Sequence, residues 1–194
     1  MTEPHRGDVE AANHLPVAPV DPTERKPPVD TTALRSAYTE LLDAAALPGL
    51  GDAGDSGWNA DQILAHLLSV DAAIAAVALG VVSGSRPSFD NRTSLDPWNL
   101  DRIIAGHAGR TDLIEHTRSQ AAVLCDIADQ LDEAAASVLV PSLMLSNGAL
   151  VVDRPIPLGG LVNGLADDHV PVHTRQLLDL RTTGAAGAWD TPAA

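Results

Sequence analysis

WNADQILAHLLSVD, residues 58–71, reads as the opening of a buried helix. Asn59, with Gln62 three residues on, forms a variant of the capping box, so the helix starts there. Ile63, His66, Leu67 and Val70 then share one face, and Ile74, Val77 and Val81 continue it. Gly84 and Pro87 stop the run. The stretch over 63–82 is the longest apolar-rich run in the chain, but it carries His66 and Asp71 and is mostly alanine beyond them. That composition fits a helix inside a protein core better than a membrane span. A titratable ring on a core-facing stripe needs a partner. His66 is therefore either a neutral core histidine with one hydrogen bond or a ligand to a metal shared with a facing helix.

The elements on either side are mostly helical. Asp30 is an N-cap candidate for a first helix, with Leu34, Tyr38, Leu41, Leu42 and Ala45 at helical spacing, ended by Pro48 and a glycine-rich loop. DPWNL (96–100) opens a third helical region that Asp96 or Asn99 caps. Its stripe resumes at Leu113 and runs to Leu131, and Gly106 and Gly109 predict a break or bend between. Two β-prone runs flank Asn147-Gly148, a type I′ turn signal, and predict a hairpin with strands near 138–145 and 149–153. Pro141 then belongs on an exposed edge. A last helix follows, striped by Leu158, Leu161, Leu165, His169, His173, Leu177 and Leu180. The expected fold is all-α: a four-helix bundle with a small β-hairpin insert before the last helix. Residues 1–29 hold six prolines among charges and no period, and read as a disordered or loosely packed arm. Residues 30–181 form the bundle, and 182–194 a tail.

The last helix contains DDHVPVHTRQLLDL, residues 167–180. His169 and His173 are four apart, about 40° in direction on a helix, so both face one way. One helix can offer two imidazoles to one metal in this way. The alternative is a pair near the core edge, each satisfied by a backbone carbonyl. Pro171 lacks the N–H that would bond the Asp167 carbonyl. Either the helix kinks there, or a new segment begins at Asp167 or Asp168 with Pro171 in its first turn. Asp167 or Asp168 is a candidate acceptor for an imidazole N–H. His107 and His116, nine apart, point in opposite directions on an unbroken helix and read as surface residues. His5 and His14 fall in the arm.

Charge removes several classes of function. The chain carries 12 basic and 26 acidic residues, a net charge of −14, with Lys26 the single lysine. Such a field repels phosphate backbones and anionic lipid, so neither nucleic acid nor a membrane surface is an expected partner. The single cysteine, Cys125, forbids an intrachain disulfide and suits a reducing, cytoplasmic setting. It occupies a mostly apolar helical position, as a small buried hydrophobe does.

WNADQILAHLLSVD and DDHVPVHTRQLLDL together resemble the DinB-like proteins, which include the mycothiol-dependent maleylpyruvate isomerase-like enzymes. The shared pattern is a tryptophan before the second helix, a histidine within it, and His-x3-His with Gln-Leu close behind in the last helix. The resemblance covers about residues 30–181 and implies a divalent metal held by His66, His169 and His173, with Asp168 a candidate beside them. Zinc and nickel both suit imidazole ligands. It further implies a thiol S-transferase or isomerase in which the metal activates a small-molecule thiol, mycothiol being the candidate cosubstrate, toward an electrophilic substrate. Three neutral imidazoles leave a metal with an open position, the pattern of a catalytic site. Pro171 within the pair and the absence of room for a second domain depart from the isomerase-type members. A non-catalytic metal- or ligand-binding protein and a metal-water hydrolase stand beside this reading, and a homodimer is the expected assembly.

Overall fold

The computed structural model describes residues 29–51 and 57–186, with side chains described as far as 181. The expectations for the arm (1–29), all but its last residue, and for most of the tail lie outside the described residues. What is described is mostly helix, with a small three-stranded sheet.

Helix α1 (Thr31–Ala45) begins where Asp30 accepts a hydrogen bond from the Ala33 N–H at 3.0 Å. Helix α2 (Ala60–Val82) begins with the full capping box. The Asn59 side chain accepts from Gln62 N at 2.9 Å, and the Gln62 side chain accepts from Asn59 N at 3.1 Å. Fourteen α2 residues are buried, His66 and Asp71 among them. The helix is also long and apolar enough to cross a membrane by length and composition.

The third helical region is divided as its glycines predict, and more finely. After a two-residue strand β1 (Phe89–Asp90) come a single turn α3 (Arg92–Leu95), then α4 (Pro97–Ala105) capped by Asp96, then α5 (Arg110–Ala128). Gly109, at φ 121°, turns the chain between α4 and α5 in a conformation that favours glycine. A second short turn, α6 (Glu133–Ala136), leads into strands β2 (Leu139–Ser146) and β3 (Ala149–Pro157). Their turn is Asn147-Gly148, both at positive φ as a type I′ turn requires.

The sheet order is β1-β2-β3, so the strand bearing Pro141 is central and not an edge. Two local facts make this tolerable. Pro141 faces Pro155 across the antiparallel ladder, and a pair with no N–H to exchange fits only a non-hydrogen-bonded site. On the other side β1 pairs in parallel only with Ser142 and Leu143, which leaves Pro141 with no donor to supply. The second strand also runs four residues beyond the expected end, to Pro157.

The last helical region is one run in three parts: α7 (Leu158–Gly164), a π-helical turn (Leu165–His169) and α8 (Val170–Ala186). The Val170 N–H bonds the Leu165 carbonyl, five residues back. The wide turn falls directly before Pro171, the second residue of α8. The new segment expected to begin at Asp167 or Asp168 begins instead at Val170, with Pro171 in its first turn, and the chain passes into it without a break. A π-turn absorbs the missing donor by widening the local hydrogen-bond pattern.

The long helices pack pairwise. α2 contacts α5 and α8, and α1 contacts α5 and α8. Leu34, Leu41, Ile63, Leu64, Leu67, Leu113, Leu124 and Leu177 are fully buried between them. Each such leucine contributes about 1.5–3 kcal/mol on burial.

Candidate metal centre

The helices bring His66, His169 and His173 to one place. α2 supplies His66, while the end of the π-turn and the first turns of α8 supply the other two. Each residue offers a ligand atom, and these atoms all lie within 4.8 Å of one another. Ring centroids are 5.2 Å apart for His66–His169, 4.9 Å for His66–His173 and 4.7 Å for His169–His173. Nitrogens about 2 Å from one tetrahedral ion sit roughly 3.3 Å apart, so small side-chain adjustments close the set.

The hydrogen bonds select which nitrogen is free. His66 Nδ1 lies 2.7 Å from the Ser94 carbonyl, which can only accept, so Nδ1–H donates and Nε2 keeps its lone pair. His173 Nδ1 lies 2.8 Å from Gln176 Oε1, with the same consequence. His169 Nε2 is buried and has no hydrogen-bond partner among the described residues. An unpartnered buried imidazole nitrogen beside two others with free lone pairs is the pattern an absent ligand leaves.

The electrostatics favour neutral rings. Burial, reinforced by the His173 charge, lowers His66 to about 4. Burial, reinforced by His173 and His66, lowers His169 to about 2. Burial also lowers His173, against the opposing bond from Gln176. Near pH 7 all three imidazoles are therefore unprotonated and able to donate a lone pair. The three histidines are close enough to hold one metal ion.

Other candidate residues fall elsewhere. Asp168 is exposed, and no imidazole hydrogen bond reaches it among the described residues. The orienting role expected of it belongs to Ser94 and Gln176. Gln176 follows His173 by three residues, a spacing that permits the contact. Ser94 acts through its backbone carbonyl, which no side-chain pattern announces. The Ser94 hydroxyl bonds the Ser69 hydroxyl at 3.0 Å, and Asn99 donates to the same oxygen at 3.1 Å, which ties α3 and α4 to α2. Trp58, noted in the sequence only for its place before the helix, packs on the cluster. Its ring lies 4.7 Å from that of His66 and stacks at 6.1 Å on His173.

His107 and His116 form a separate pair. The break between α4 and α5 removes the helical constraint, and their rings meet edge-on at 4.9 Å. His107 is half-buried and donates from Nδ1 to the Ile103 carbonyl at 2.7 Å, while His116 is exposed. Cys125 is 1% exposed, and burial pushes its thiol up to about 11. It remains a thiol at neutral pH and does not line the space before the histidines.

That space is a cavity of about 960 Å³. His66, His169 and His173 line it, with Val70, Ile74, Phe89, Met144 and Ile156 on its walls. Asn91 holds the β2 wall in place: its amide donates to the Leu145 carbonyl at 2.9 Å and accepts from Leu145 N at 2.8 Å. No family model, curated protein or solved structure matches the chain.

Proposed function

We propose that the chain is a DinB-like four-helix bundle acting as a metal-dependent thiol S-transferase or isomerase, with zinc or nickel held by His66, His169 and His173. The observation that carries the reading is the orphaned His169 Nε2 beside two imidazoles whose tautomers are fixed with Nε2 free. Borderline divalent ions suit such a set of neutral nitrogens, and three protein ligands leave a position open. A divalent ion there would lower the pKa of a bound thiol and so supply a thiolate nucleophile at neutral pH.

The chain's own residues support that division of labour. Ser94 and Gln176 orient two imidazoles. Trp58 packs against the His66 and His173 rings. Cys125 is buried away from the cavity with a raised pKa, so the nucleophile comes from outside the chain. The cavity is large enough for a cosubstrate and an electrophile together. Mycothiol is the candidate thiol on the resemblance of the two histidine-bearing segments.

The test uses untagged, metal-loaded protein and an electrophile such as a haloaromatic, with and without mycothiol. Turnover that needs the thiol and disappears in His66→Ala supports the transferase. Thiol-independent turnover replaces it with a hydrolase, for which Asp168 on the cavity lining is the available base. No turnover with metal bound leaves a non-catalytic binder.

A further inference from the structure

The histidines among the described residues fall into two clusters, the three of the candidate metal centre and the pair His107–His116. The proposed function leaves the pair unused. His107 lies just past α4 and His116 lies in α5, and the turn at Gly109 brings one back to the other. Their rings meet at 4.9 Å and 85°, close to the arrangement of His169 and His173 at 4.7 Å and 82°. A ring centre lies about 3.1 Å from an ion that its nitrogen binds, so two rings sharing one ion sit roughly 4.5–5.1 Å apart over square-planar to tetrahedral angles. The pair falls inside that range. His107 is also held in place. Its Nδ1–H donates to the Ile103 carbonyl at 2.7 Å, which leaves Nε2 with its lone pair. The Ala108 N–H donates to Asp112 at 3.0 Å and fixes the connecting segment against the first turn of α5. His116 is exposed, so its ring can rotate toward a shared ion. The nearby arginines are engaged, Arg110 with Asp61 at 2.7 Å and Arg118 with Glu115 at 3.6 Å.

We propose that His107 and His116 form a second metal site, separate from the three-histidine centre, which takes one divalent transition ion and bridges the end of α4 to α5. Among nitrogen-binding divalent ions copper(II) stands above nickel and zinc, so copper(II) is the ion the pair holds most tightly. No third histidine, cysteine or carboxylate among the described residues closes with the pair into a set of three. Water completes the coordination, and the site is weaker than one built from three imidazoles. Its ion exchanges with solvent and leaves on desalting. The net charge of −14 favours the approach of any cation to this surface.

The experiment is a copper(II) titration of the untagged chain carrying His5→Gln and His14→Gln, which leaves the two clusters as its only imidazoles. Bound copper is counted by equilibrium dialysis, and its nitrogen ligands are read by electron paramagnetic resonance. The expected result is one more ion in this parent chain than in His107→Ala, His116→Ala or the double variant, with two imidazole nitrogens on that ion. A chelate needs both rings, so either single variant should weaken the site at least tenfold, and as much as the double variant does. His116 is exposed, so its variant carries the test without disturbing the fold, which circular dichroism checks. Equal copper in the parent and His116→Ala would overturn the proposal. So would single variants that each keep most of the affinity, since that is the behaviour of two independent side chains. Copper that remains in all three variants reports on His66, His169 and His173, so failure of one site is distinguishable from failure of the other.

Discussion

Asp71 is a fully buried carboxyl whose charge the fold disfavours. It sits five positions after His66, roughly 140° around α2, and so faces away from the cavity. Tyr38 from α1 donates to its Oδ1, and Oδ2 has no hydrogen-bond partner among the described residues. Burial raises the carboxyl to about 7, against the lowering effect of the Tyr38 bond. Between about pH 4 and 7 the native state therefore holds a proton that the unfolded chain has released. Stability contributed by Asp71 is full below about pH 4 and falls as pH rises to about 7, by on the order of a few kcal/mol. Asp71→Asn keeps an acceptor for Tyr38 and removes this slope. Urea titrations from pH 4 to 8 should show the variant gaining on the wild type as pH rises, then levelling above about 7. A gap that stays constant with pH would contradict the assignment. The apolar stripes marked each of the three histidines as core-facing, and it was the resemblance of the two histidine-bearing segments that joined His66 to the pair. The partners of these rings were less legible: Ser94 contributes a backbone carbonyl, and Gln176 is one polar residue among several on its turn.

Elements with strong local signals were the legible ones. Asn59 and Gln62 mark the α2 start through their side chains, and the structure contains both capping bonds. Asn59→Ala removes the acceptor for Gln62 N, and the expected cost is about 1 kcal/mol by chemical denaturation. A change under a few tenths of a kcal/mol would mean the start is held by packing alone. β1 and α3 carried no such signal, because two and four residues are too short to show a period. Their positions come from tertiary contacts, β1 against β2 and Asn91 against Leu145. Pro141 misled for a related reason: a central strand accepts proline where its neighbours ask nothing of its nitrogen. Pro171 marked a disturbance correctly, but the sequence could not choose a π-turn over a kink. The Pro171→Ala variant restores the N–H and removes the ring that crowds the preceding turn. Its expected outcome is a higher Tm with metal affinity weakened about tenfold, as a regular turn carries His169 out of line. Unchanged affinity would show that the π-turn has no part in placing His169.

At the scale of the whole molecule the proposal is a helical scaffold with a metal-binding cavity at the histidine cluster. Leu139, Leu150 and Val151 are more than half exposed on the hairpin strands. They offer apolar area to a second copy, and a homodimer is the expected state at micromolar concentration. Light scattering giving the monomer mass would reject it. Metal binding by the three histidines is the central claim. Untagged protein is incubated with excess zinc or nickel, desalted, and its metal content measured by elemental analysis beside His66→Ala, His169→Ala and His173→Ala. The expected result is one divalent ion per wild-type chain and a loss of stoichiometric loading in each variant, with helical circular dichroism largely kept. Full loading of any variant, or a wild-type chain that retains no ion, would contradict it.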